Sequence, residues 1–314
     1  MRLAHFVITR FSYRGSAAFK NIEGPTFHRP QDPLDPKRLE LRFKLFELTC
    51  LPSIIGQADQ SFVWIILIDS ALPAKQYERL HSLVKKRQDT VIHVYDPGGS
   101  LGSLDWLRRY SVDAADYVAT TNLDDDDALP AEFVGTIRKR LFDLNARNAL
   151  PPIGIVGAKQ IIEWDLIPSD IAPLGWRASW HRGSLVASVG LSLYCKVPEF
   201  NFCVLGIRHR SADRYLDFSK PAVNANALWF QRAVLSAAQA CNMDARSWGA
   251  ENLFHDISEE LGAVLMTNHT GNDQVGRLLE QKPDRSIVTG ARDFPGLLID
   301  WEKARVYAPS FGAP

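Results

Sequence analysis

The stretch that most constrains the fold is Tyr117 to Pro130, YVATTNLDDDDALP. A strand-like apolar opening (Tyr117, Val118, Ala119) runs through Thr120, Thr121, Asn122 and Leu123 into four consecutive aspartates, Asp124, Asp125, Asp126 and Asp127. A helix-like segment, AEFVGTIRKRL, follows Pro130 directly. Four adjacent carboxylates repel one another, so a folded chain keeps them together only where something offsets their charge. A divalent cation bridging to a phosphate does so: hard oxygen ligands suit Mg²⁺ or Mn²⁺, and Mg²⁺ is held by one or two carboxylates plus substrate phosphates. The alternative is a solvated acidic turn capping the next helix, where Asp is favoured. The apolar strand before the run puts it at the edge where α/β sheets receive ligands, which favours the metal–diphosphate reading.

The rest of the first half supplies the sheet that this reading needs. Leu3 to Thr9 reads as a buried strand, Asn21 to Pro36 as a proline-rich loop, and Asp35-Pro36 as the start of a helix reaching about Cys50, with Pro52 as its breaker. Phe62 to Ile68 (FVWIILI) is a nearly continuous apolar run, the pattern of a strand covered on both faces in a parallel sheet. A helix around Ala74 to Lys86, a strand at Thr90 to Tyr95 and a helix carrying Trp106, Arg108 and Arg109 follow. Strand and helix alternating in this way spell a doubly wound, mostly parallel α/β half.

The second half is less regular. Strands are expected at Ile153 to Val156, Gln160 to Trp164, within Leu185 to Tyr194, near Phe202 to Leu205 and at Val264 to Thr267. Trp176, Trp180, His181 and Arg182 fall in a loop-rich stretch; His181 and Arg182 suit an acceptor-side loop. Asn224 to Cys241 reads as a helix, and another helical stretch follows Trp248-Gly249-Ala250-Glu251-Asn252 through Leu261. A tail of mixed charge after about Arg277 is expected to wrap on the body.

Net charge is zero, so no global field argues for nucleic acid or an anionic membrane as partner. The four cysteines, Cys50, Cys195, Cys203 and Cys241, lack metal-binding or paired spacing and read as reduced, buried side chains of a cytoplasmic protein. Met1 to Thr9 is too short for a signal peptide, and no apolar run approaches the ~18 residues of a membrane span. Peripheral work on a membrane-bound acceptor from the cytosolic side is compatible with this.

The run TNLDDDDALP after an α/β half resembles the D-x-D site of nucleotide-sugar glycosyltransferases with the GT-A fold. More closely, the chain resembles the bacterial family of putative rhamnosyltransferases. The resembling blocks are VITRFSYRG (Val7 to Gly15), LELRFKLFELTCLPSIIGQ (Leu39 to Gln57), FVWIILIDSALP (Phe62 to Pro73), the acidic run, and TNHTGN (Thr267 to Asn272). The resemblance implies a GT-A-like sheet flanked by helices over residues 1–276, with a nucleotide-sugar-binding half at 1–130, an acceptor half at 131–276, and a packed tail at 277–314. It also implies a nucleoside-diphosphate sugar as donor, with rhamnose suggested by the family's name, and a glycan or glycolipid as acceptor.

Transfer from such a donor needs the growing charge on the diphosphate stabilised, which is Lewis-acid work for a metal. In similar enzymes the first and third positions of the D-x-D contact the ribose and the metal. Asp124 and Asp126 fit that spacing, and so do Asp125 and Asp127; Asp126 is taken as the metal ligand, with Asp124 and Asp125 toward the nucleotide. His269 matches the late histidine that such enzymes use on metal or diphosphate, the alternative being a surface-loop histidine. An inverting transfer needs a carboxylate base for the acceptor hydroxyl. Glu251 is the candidate, with Asp256 and Glu259 as competitors and a plain helix-start residue as the bland reading. Trp248 beside it suits stacking on a sugar ring. Asp69 suits a hydrogen bond to the base, or else a turn or helix cap. Thr9 and Arg10 end the first strand and suit the lining of the same nucleotide pocket, where Arg10 suits a phosphate. Arg109 faces the diphosphate or, with Arg108, a solvated helix face.

Two rivals are weighed against this reading. A haloacid-dehalogenase-type Mg²⁺ phosphatase also carries aspartates after a parallel strand, but its D-x-D-x-[TV] pattern lies near the first strand, and Ala128 stands two past Asp126. A non-catalytic carbohydrate- or metal-binding module is suggested by the eight tryptophans and the acidic turn, but needs no nucleotide-binding half.

Overall fold

The computed structural model describes residues 1–13, 32–95, 101–110, 112–166, 177–182, 189–207, 253–269, 286–287 and 294–311, with isolated positions between 228 and 239. Strand β1 (Leu3–Arg10) lies inside the main sheet, flanked on one side by β2 (Val63–Ile68) and then β3 (Thr90–Val94), and on the other by β4 (Tyr117–Asp124). All three of these pairings are parallel. Beyond β4 come β8 (Ser192–Lys196), antiparallel to both of its neighbours, then β5 (Ile153–Gly157) and β9 (Phe254–Asp256), giving the order β3-β2-β1-β4-β8-β5-β9. The chain builds outward from β1 to β3 and then restarts on the far side of β1 with β4. That reversal makes the β1–β4 pair a topological switch point, the place where open α/β sheets leave a crevice at their carboxyl ends.

Apolar residues on both faces of the central strands explain the layering. Val7, Phe11, Trp64, Ile66 and Leu123 face one side, under α1 (Pro36–Leu45), α2 (Leu51–Ile55), α3 (Ala74–Val84) and α4 (Phe133–Ala146). Phe6, Ile8, Ile65, Leu67 and Val118 face the other, against Leu104, Leu107, Val204 and Val234. This mostly parallel mixed sheet with flanking helices is the GT-A-like α/β fold that the family resemblance implies.

Five local expectations are corrected. The helix does not stop at Pro52: a π turn at Phe46–Cys50 joins α1 to α2, which runs on to Ile55. Proline has no N–H for the Leu48 carbonyl one turn back, and the Asp300 N–H supplies it instead at 3.1 Å. The segment with Trp106 and Arg109 forms 3-10 turns at Asp105–Tyr110 and Val112–Ala114, and Val204–Gly206 is likewise a 3-10 turn, not a strand. Trp180, His181 and Arg182 are in a strand, β7 (Arg177–Arg182), not a loop. Within the helical stretch expected through Leu261, Phe254–Asp256 form β9, and a separate short helix spans Ser258–Leu261.

A second sheet holds β10 (Val264–Asn268), β6 (Gln160–Asp165), β7 and β11 (Ser286–Ile287), in that order. Its inner side, with Ile162, Trp164 and Leu265, shares a core with Leu45, Leu48, Phe294 and Leu297. Trp301 of the helix Trp301–Phe311 stacks on Phe294 with ring centroids 5.5 Å apart. Among the described residues no helix is long and apolar enough to cross a membrane.

Candidate active site

The last residues of β1 and β4 stand opposite one another in register, Arg10 beside Asp124. Their side chains meet at the switch-point crevice: the Arg10 Nη2 donates to Asp124 Oδ1 at 2.6 Å. Strand alternation sends Thr9 to the opposite face. There it is fully buried, accepts a hydrogen bond from Trp64 Nε1 at 3.0 Å and lies 3.8 Å from Cys50 Sγ. Thr9 therefore serves the core, a correction to its expected place in the pocket.

Beyond β4 the acidic turn dives inward, and Asp125, Asp126 and Asp127 are all buried. The second sheet holds it there. Ala128 and Leu265 exchange backbone hydrogen bonds of 3.0 Å, the Thr267 N–H donates to Asp127 Oδ1 at 3.1 Å, and the Thr267 hydroxyl donates to the Asp126 carbonyl at 2.8 Å. Two residues further on, this staple delivers His269, fully buried, with Nε2 at 2.8 Å from Asp126 Oδ2.

The charge of the turn is offset from within the chain. Arg42, near the end of α1, sits three residues after Leu39 and four before Phe46, inside the buried stripe. Its Nε donates to Asp125 Oδ2 at 3.1 Å, its Nη2 contacts Asp125 Oδ1, and its Nη1 donates to Asp126 Oδ2 at 2.8 Å and lies 3.3 Å from His269 Nε2. Only one contact of that imidazole nitrogen is a hydrogen bond in a given tautomer, because guanidinium N–H groups only donate. The shorter one, Nε2–H to Asp126, is the better. Ser12, with φ of 47°, adds its backbone N–H to Asp125 Oδ2 at 3.3 Å.

Protonation follows this geometry. Burial alone would raise the Asp126 carboxyl, but the Arg42 charge and the His269 hydrogen bond outweigh it and hold the group below the usual carboxylate range. Burial, then the charges of Asp126 and Asp124, push Asp127 well above that range, which favours its protonated form. Burial lowers His269 despite the opposing pull of Asp126, favouring a neutral imidazole. A neutral imidazole and an ionised carboxylate are the forms a metal takes as ligands. Among the described residues no group of three His, Cys, Asp or Glu side chains is arranged to hold a metal. Asp126 and His269 are one side chain short of such a group, and the Arg42 Nη1 lies against both of them.

The remaining expected site residues fall in three places. Asp69 ends the segment after β2, and its Oδ1 caps a turn by accepting the Ala71 N–H at 2.8 Å. Near it, Tyr13 and Tyr95 stand edge to face with centroids 4.8 Å apart, and the Asp69 charge helps to raise the Tyr13 hydroxyl after burial and the Tyr95 hydrogen bond. Arg109 turns to His93, its Nη2 at 3.0 Å from Nδ1, and among the described residues it has no contact with the acidic turn, contrary to the expectation that it faces the diphosphate. Arg108 pairs with Asp105 and Asp113 at the surface. Glu251 and Trp248 lie outside the described residues. Of the competing carboxylates, Asp256 accepts from the Ser258 hydroxyl at 2.6 Å and Glu259 is exposed.

The site is thus an acidic turn at the switch point of a GT-A-like sheet, packed against a late histidine. The chain belongs to the family described as "Putative rhamnosyl transferase", whose model matches residues 4–193. No curated protein matches. Among solved structures, residues 1–349 of S. aureus TarS in complex with UDP align with a TM-score of 0.34 and 12% identity, over 86% of this chain and 61% of that one. The same fragment with UDP-GlcNAc gives 0.27 and 14%, over 51% and 35%. Apo mouse Xyloside xylosyltransferase 1 gives 0.30 and 12%, over 81% and 85%. The matched region spans 21% of one TarS chain and 55% of its 1–349 fragment.

Proposed function

We propose that the protein transfers a sugar from a nucleoside-diphosphate donor to a glycan or glycolipid acceptor, with inversion and with a divalent cation, Mn²⁺ or Mg²⁺, held by Asp126 and His269. The observation that carries this reading is the meeting of those two side chains, 143 positions apart, at 2.8 Å beside the switch point. When bound, such a cation supplies Lewis-acid stabilisation of the leaving diphosphate. The chain's own groups do the rest. Arg10, steadied by Asp124, presents a guanidinium at the crevice mouth to the diphosphate. Asp124 and Asp125 fix the arginines and the turn against the nucleotide side. Asp69, with Tyr13 and Tyr95, lies at the strand ends where a base would lodge. Glu251 is proposed as the base that takes the acceptor proton, and the family description makes rhamnose the first sugar to try.

The test is a thermal-shift screen of UDP, GDP, dTDP and CMP with and without Mn²⁺. A ligand at 100 times its Kd stabilises by about 2.7 kcal/mol. At about 2.1 cal/mol/K per residue, for 314 residues, this is a rise of about 4 °C. The matching nucleotide sugar should then be slowly hydrolysed, and Asp126→Ala should reduce that hydrolysis by about 100-fold or more, the scale of losing a charge-stabilising group. If no nucleotide raises the melting temperature in either condition, the donor-site reading fails.

A further inference from the structure

We propose that Arg42 is an internal counter-cation that keeps the Asp126–His269 seat closed to a free divalent ion, so that the ion is accepted only together with a diphosphate. This rests on the donor-site reading above and adds a control to it.

The argument is one of shared atoms. Asp126 Oδ2 and His269 Nε2 are the two atoms through which a cation would be held. The Arg42 Nη1 touches both, at 2.8 and 3.3 Å. Its other two nitrogens are fixed on Asp125, whose side chain is fully buried, while the Arg42 side chain is only 14% exposed. The guanidinium is therefore built in, clamped at both ends. A divalent ion entering with Arg42 in place would put three positive charges against two carboxylates in a buried site. An ion entering without Arg42 would first have to draw the guanidinium off Asp126 and take the Nε2 proton from its bond to Asp126. A diphosphate changes this balance, because it brings two negative charges and accepts guanidinium in the same bidentate manner as a carboxylate.

A second, independent observation points to a ligand at this spot. Ser12, whose N–H reaches Asp125, is 6% exposed, and its hydroxyl has no hydrogen-bond partner among the described residues. Its backbone is held at φ 47°, a conformation that L-residues other than Asn and Asp seldom adopt. Among the described residues this buried hydroxyl beside the paired carboxylates calls for an explanation, and a bound ligand supplies one.

The test measures Mn²⁺ binding directly, from the free-ion EPR signal, on the full chain without and with inorganic pyrophosphate. The wild-type protein should bind Mn²⁺ weakly alone and roughly 5- to 150-fold more tightly with pyrophosphate, the usual range of coupling between linked sites. Arg42→Met should tighten Mn²⁺ binding alone and reduce that coupling. Because this change strands the buried Asp125 charge and endangers folding, the paired variant Arg42→Met/Asp125→Asn carries the test, since it removes both halves of the ion pair. Tighter Mn²⁺ binding by the paired variant, abolished by adding Asp126→Ala, supports the proposal. If wild type already binds Mn²⁺ alone through Asp126 as tightly as the paired variant, the proposal is overturned while the donor-site reading stands. If neither binds Mn²⁺ with pyrophosphate, the cation site itself is refuted and the role of Arg42 falls with it.

Discussion

Asp127 is the carboxyl whose titration the fold most strongly redirects, and Asp127→Asn isolates its contribution. The side chain is 6% exposed and lies beside two ionised neighbours, while its Oδ1 accepts the Thr267 N–H at 3.1 Å. The amide oxygen of asparagine keeps that acceptor, so the substitution removes the titration and little else. Burial and the charges of Asp126 and Asp124 raise the folded-state value well above the unfolded one. Stability from this group is therefore fully present below the unfolded value of about 3.9 and declines as pH rises toward the folded value. In that window the folded chain holds one proton more than the unfolded chain. The wild type then loses about 1.4 kcal/mol per pH unit relative to Asp127→Asn. At about 2.1 cal/mol/K per residue, this is about 2 °C per pH unit for 314 residues. Urea denaturation of both proteins at pH 4.5, 5.25 and 6 measures the difference directly. A difference that stays flat across these points, or a variant that becomes less stable relative to wild type as pH rises, would refute the reasoning.

Two further outcomes follow from the same contacts. His255, hydrogen-bonded to the Tyr194 hydroxyl at 2.9 Å, is pushed down to about 4 by burial and then by Arg140. Its stabilisation is lost as pH falls from about 6.5, the unfolded value. Equilibrium unfolding of His255→Gln between pH 4.5 and 6.5 should therefore show a shallower acid limb, by up to about 1.4 kcal/mol per pH unit. Thr267→Val keeps the backbone bond to Asp127 but orphans the Asp126 carbonyl, which should cost about 1–3 kcal/mol. Because that bond places Asp126 beside His269, donor hydrolysis should fall more than stability does; unchanged hydrolysis would mean that the staple has no part in setting the site.

The strands of the first half were legible because every residue of Trp64 to Ile68 is buried, so the apolar run had no gap to misread. The same period-two logic, applied one step further, separates Thr9 from Arg10: the first meets Trp64 in the core and the second meets Asp124 at the crevice. Pro52 misled because a helix-breaking residue was judged locally, whereas the carbonyl that it leaves unserved is satisfied by Asp300, far along the chain. The meeting of His269 with Asp126 depends on the Ala128–Leu265 bridge, a pairing of the acidic turn with β10 that no local pattern encodes.

Arg42 is the instructive miss. An arginine between Leu39 and Phe46 on an apolar helix stripe is a cation in a place reserved for core, and that irregularity was readable. The premise that crowded carboxylates demand compensation was sound, but it does not by itself call for a metal. Arg10 takes Asp124, Arg42 takes Asp125 and Asp126, and Asp127 is pushed toward its neutral form. An acidic run therefore argues for a metal only after the buried arginines able to reach it have been counted. Here that count puts the Arg42 guanidinium on Asp126 Oδ2 and His269 Nε2, the two atoms that the proposed cation would use, so the proposed affinity for metal depends on what else can hold the guanidinium.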